Sequence, residues 1–87
     1  MTMASANLMA TSSPERKTDR VRRLLREGDL KGALRIAKGF TRGITYGQQK
    51  AMQMAYECMV HPDFYLQIGV DVQEWIRKGS EVVHQIV

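Results

Sequence analysis

What this sequence has little of narrows its class before any motif is sought. A single cysteine, Cys58, stands in 87 residues, which excludes a disulfide framework within the chain and fits a reducing, intracellular setting. No run approaches the roughly 18 or more apolar residues that cross a bilayer. The amino terminus also lacks a basic stretch followed by an apolar one, so no secretory signal is expected and a cytoplasmic protein is. Residues 1–12, MTMASANLMATS, carry no charge and no periodicity. They read as a disordered leader, in which Met3 and Met9 leave open a later natural start or an added remnant ahead of it.

Charge of one sign is scarce where charge of the other is dense. Residues 15–43 carry ten Lys/Arg against four Asp/Glu, a balance of +6, whereas residues 44–87 carry three against five, a balance of −2. A chain basic in front and mildly acidic behind points to an acidic partner, with nucleic acid among the candidates. The 44% hydrophobic and 25% charged content is that of a globular domain, and the length allows one core and no second. The domain is expected over residues 13–87. A core this small gives modest stability, so tight helix packing or oligomerisation is needed.

The segment Thr45 to Val60, TYGQQKAMQMAYECMV, organises the rest. On a helical wheel Gln49, Lys50, Gln53 and Glu57 fall on one narrow stripe, while Ala51, Met52, Met54, Ala55, Tyr56, Cys58, Met59 and Val60 cover the remainder. A helix apolar over most of its circumference has to be wrapped by others. Thr45 and Gln48 form a capping box at its start, and Pro62 requires it to stop near His61.

The other elements follow from similar punctuation. Ser13, Pro14 and Glu15 suit a helix opening, and the helix is expected to run to about Glu27, with Val21, Leu24 and Leu25 as a thin apolar face. Arg16, Lys17, Arg20, Arg22, Arg23 and Arg26 fan over the opposite side. Gly28 and Asp29 make a tight joint, after which Leu30 to Lys38 buries Leu30, Ala33, Leu34, Ile36 and Ala37. Lys31, Arg35 and Lys38 on that helix, with Arg42 in the following loop, form a second basic set. Pro62 to Gly69 predicts a short aromatic plug over the end of the core. Asp71 and Glu74 open a last helix, in which Val72, Trp75, Ile76, Gly79, Val82, Val83, Ile86 and Val87 lie within an arc of about 140°. Glu74 and Lys78 have the spacing of an ion pair. This apolar stripe either continues the core or offers the seam of a homodimer. The fold expected is all-α: a small bundle made of a basic helical hairpin, a central buried helix, a short helical plug and a C-terminal amphipathic helix.

Chemistry-bearing residues are few. Cys58, His61, Asp63 and His84 are metal-ligand types, but one Cys-x-x-His pair without a second does not make a zinc site. Cys58 sits on the apolar side of its helix, where a thiol is an inert hydrophobe rather than a nucleophile. Gly39, Gly43 and Gly47 lie in a basic stretch ahead of a helix, yet no lysine-serine pair follows and no strand precedes, so this is not a nucleotide loop. No catalytic residue, metal or cofactor is expected, and the chain does not read as an enzyme.

Three resemblances bear on the reading. Gly28-Asp29-Leu30 with Ala33-Leu34 resembles the turn and second helix of a tetratricopeptide repeat. No second copy follows about 34 residues on, so the likeness implies hairpin geometry alone. The second helix, the Gly43-Ile44-Thr45 turn and the central helix are loosely similar to a helix-turn-helix, with departures at Gly39, where a small alanine is usual, and at Gln49, where an apolar anchor is. The stretch AYECMVHPDFYLQIG, Ala55 to Gly69, resembles small uncharacterised proteins carried by bacteria and their prophages, which implies such an origin and brings no functional residue with it.

The functional expectation is a non-enzymatic binding module that applies the arginine-rich face of the first helix to an acidic protein surface. The alternative is a sequence-tolerant accessory protein for DNA or RNA, working by phosphate neutralisation. The face lacks aromatic residues, which disfavours binding of single strands by stacking.

Overall fold

The computed structural model describes residues 15–87, so the expected leader and the Ser13-Pro14 opening lie outside the described residues. Five helices are found among the described residues: α1 Lys17–Arg26, α2 Leu30–Ala37, α3 Tyr46–Val60, α4 Pro62–Gln67 and α5 Val72–Ile86. The all-α bundle is as expected.

Local chemistry sets most of the boundaries. Gly28 takes φ +81°, a left-handed turn that a glycine makes without strain. It brings the Asp29 amide to 2.8 Å from the Leu24 carbonyl. The Asp29 carboxylate then accepts from the Gly32 amide at 2.8 Å and caps α2. Both halves of the Thr45 and Gln48 capping box form, each at 3.0 Å. Pro62 ends α3 and begins α4 with only His61 between them. Asp71 caps α5 through the Glu74 amide at 3.1 Å.

Two expectations of local structure are corrected. Arg16 is extended (φ −70°, ψ 153°) and no side chain caps the helix there, so α1 begins at Lys17 and not at Pro14. Glu15, expected to help open the helix, instead lies ahead of it and pairs along its flank with Arg20 and Arg23. In α5, Glu74 pairs with Arg77 rather than Lys78, and the Lys78 ammonium rests over the Trp75 ring, 4.9 Å from its centroid.

The packing has a dense part and a light part. Helices α3 and α5 share the largest interface, α2 lies against both, and α1 touches the others chiefly through α2. Val21, Ala33, Leu34, Ala37, Met52, Ala55 and Val83 form one core with no exposure. Most of these side chains are small, so the helices come close together. Gly79 is where α5 crosses α3: a side chain there would collide with the Ala55 methyl and stand 3.0 Å from the Ala51 carbonyl oxygen. Each fully buried Leu, Met or Val adds about 1.5–3 kcal/mol, and the core holds few of them.

The stripe on α5 continues the core, with Val82, Ile86 and Val87 packed against it. The expected plug does not close the core. Phe64, Leu66 and Ile68 of the α4 segment are 55%, 59% and 59% exposed. A six-residue helix turns less than twice, so only one side of it can face inward, and Tyr65 is the side chain on that side. Burial raises the Tyr65 hydroxyl above the usual phenol value, and the neighbouring Glu57 charge adds to this.

Candidate interaction surface

The arginine face of α1 is built by spacing alone: Arg16, Arg20, Arg23 and Arg26 recur at three- and four-residue intervals, and Arg22 lies beside Arg26. The apolar side of the same helix, Val21 with Leu24 and Leu25, is anchored in the core, which turns these arginines outward. Arg16, Arg20, Arg22 and Arg26 are exposed and Arg23 is half-buried.

Three of the arginines are already engaged. Arg22 pairs with Asp19 at 3.0 Å. Arg23 reaches Glu15 at 3.1 Å and Glu27 at 3.3 Å, and Arg20 reaches Glu15 at 3.5 Å. The hydrogen bond from Arg23 holds the Glu15 carboxyl below its usual range and in turn raises the guanidinium. Arg16 and Arg26 have no carboxylate partner among the described residues. Exposed pairs of this kind contribute little and exchange readily.

Arg22 and Arg26 also have an apolar neighbour. They stand at the rim of a cleft of about 330 Å³ whose other walls are Leu25, Val87 and His84. The His84 Nδ1–H donates to the Ser80 carbonyl at 2.7 Å, which fixes the ring and leaves Nε2 free. Sequence reasoning missed His84 and Val87 as parts of this surface. They are 58 or more positions from Arg26, and no local signal records which end of α5 reaches α1.

Lys17 and Arg42 are not among the residues that line the cleft of Arg22 and Arg26. Lys17 is one residue on from Arg16, which carries it about 100° round the helix. It lines a different groove together with Arg42. Lys38 is held over the Tyr56 ring, 5.2 Å from the centroid. Lys31 and Arg35 are exposed on α2.

The other candidate chemistries are placed as follows. Cys58 has no exposure, and burial, with the Glu57 charge, pushes its thiol above the usual value. That is the opposite of what a nucleophile needs. Among the described residues no three His, Cys, Asp or Glu side chains gather as a metal site would require. The helix-turn-helix likeness meets a long joint, because residues 38–45 separate α2 from α3 where that motif has a turn of about three or four residues. Ala51, Met52, Ala55 and Cys58 of α3 are buried, and only the stripe with Gln49, Lys50 and Gln53 borders a shallow cleft of about 260 Å³. No described helix is long and apolar enough to cross a membrane. No protein-family model matches the chain, and no curated protein or solved structure is similar enough to be counted a relative.

Proposed function

We propose that the protein is a non-enzymatic binding module, working in a bacterial or phage-infected cytoplasm, and that α1 docks on an acidic protein surface. The supporting observation is the cleft between α1 and the end of α5, where Arg22 and Arg26 flank an apolar floor of Leu25 and Val87. Cations beside apolar surface suit a protein partner, which presents a carboxylate next to an aliphatic or aromatic side chain. A phosphate backbone offers charge without that apolar neighbour.

The test sets a synthetic acidic amphipathic peptide against duplex DNA, each titrated at two salt concentrations. The expected result is tighter binding of the peptide with a shallow salt slope. Arg22→Glu with Arg26→Glu should abolish it while circular dichroism shows unchanged helicity. Binding that survives this double change at moderate salt removes the arginine face from the function. A steep salt slope on DNA, with the peptide weaker, assigns the face to phosphates instead.

A further inference from the structure

A second groove, away from the arginine face, is assembled from three distant parts of the chain. Lys17 and Thr18 come from the first turn of α1, Phe40, Thr41 and Arg42 from the α2–α3 connection, and Ile86 from the end of α5. Its volume of about 680 Å³ falls in the range of roughly 300–1,000 Å³ that small-molecule sites occupy. Phe40 and Ile86 are packed against the core, so the floor is apolar and held in place.

The charge of the groove is unbalanced. Among the described residues no Asp or Glu lines it, and neither Lys17 nor Arg42 meets a carboxylate there. Lys17 and Arg42 line one groove with no carboxylate beside them, a balance of +2 that an anion of charge −2 matches. The guanidinium of Arg42 offers a planar fork to two oxygens and Lys17 a point charge. The hydroxyls of Thr18 and Thr41 supply neutral donors.

We propose that this groove binds a small phosphate monoester carrying a planar organic body, of which a nucleoside monophosphate is the type. The phosphate lies between Lys17 and Arg42, and the body lies on Phe40 and Ile86. A carboxylate, with one charge and two oxygens, would leave one cation unmatched. The site is independent of the docking role of Arg22 and Arg26, and either can fail without the other.

Adenosine 5′-monophosphate is the probe, titrated into the isotopically labelled full chain at near-physiological salt and followed by amide NMR shifts. Shifts are expected at Lys17, Thr18 and Gly39 to Ile44. Arg42→Gln should weaken binding about tenfold, and Lys17→Gln with Arg42→Gln about a hundredfold. Arg22→Glu with Arg26→Glu should leave it unchanged. Adenosine, which lacks the charge, and inorganic phosphate, which lacks the body, should each bind at least about tenfold more weakly. The proposal is overturned by unchanged affinity in the Lys17 and Arg42 double variant with helicity retained, or by shifts that map to Arg22 and Arg26. It is equally overturned by inorganic phosphate binding as tightly as the nucleotide, or by no saturable binding up to about 10 mM.

Discussion

The α1–α2 hairpin and the α3–α5 pair hold helices together by different means. In the hairpin, Val21 is the one fully buried side chain of α1, and the outer surface is covered by arginines tied to Glu15, Asp19 and Glu27. In the α3–α5 pair, Ala51, Ala55 and Gly79 let two backbones approach until no further atom fits. The first arrangement leaves charge free to meet a partner and resists opening weakly. The second is closely packed and presents little to a partner, so the two proposed binding surfaces lie on or beside the lighter half.

The contrast is tested hardest by making one substitution in both halves. Gly79→Ala gains about 1 kcal/mol of helix propensity but drives a methyl into Ala55. Since overpacking costs about 1–3 kcal/mol and a backbone carbonyl blocks retreat, a net loss of stability is expected, with the melting temperature about 10 °C lower. Ala55→Gly in the same chain should restore part of it. A stabilised Gly79→Ala variant would show that the two helices are not in this close contact. Gly32→Ala in the hairpin meets only the Asp29 carboxylate, a side chain that can swing aside at the cost of its cap on α2, a loss that the helix propensity gained by alanine offsets. Its effect on chemical denaturation should stay within about 1 kcal/mol of zero.

The smallest effect expected is that of acid. Glu15 in the hairpin and Glu74 on α5 both have carboxyls held below the usual value, chiefly by hydrogen bonds from Arg23 and Arg77. A lowered folded pKa means that each contribution is complete above the ordinary carboxylate value of roughly 4. It is lost as pH falls through the folded value. Helix α5 keeps its close packing when that happens and α1 has little to fall back on. Amide exchange at low pH should therefore rise in α1 before α5, and simultaneous loss of protection would erase the distinction between the halves.

The features legible in the sequence were those carried by neighbours along the chain. Asp29, the Thr45 and Gln48 box, Asp71, Pro62 and the glycines at 28 and 69 mark helix ends through local backbone chemistry, Gly43 marks the turn before α3, and the structure uses each of them. The exposure of Phe64, Leu66 and Ile68 was not legible, because a short apolar run states no direction. Nor was the sharing of one groove by Lys17 and Arg42, which depends on how the α2–α3 connection is placed relative to the start of α1. The cleft of Arg22, Arg26, His84 and Val87 has the same origin. Individual basic residues could be named from spacing, but dividing them between two surfaces needed the tertiary arrangement.

The ion pairs of α1 also set a threshold on what the face can recognise. Glu15, Asp19 and Glu27 act as resident competitors, tethered beside the arginines at an effective concentration in the millimolar range. A lone carboxylate arriving from solution gains nothing by replacing one of them. The partner proposed for α1, with several acids at the right spacing and a side chain for the cleft, would displace them together. On the docking proposed for α1, these resident acids would weigh against simple anions at Arg20, Arg22 and Arg23, while Arg16 and Arg26, without a carboxylate partner among the described residues, stand open to them.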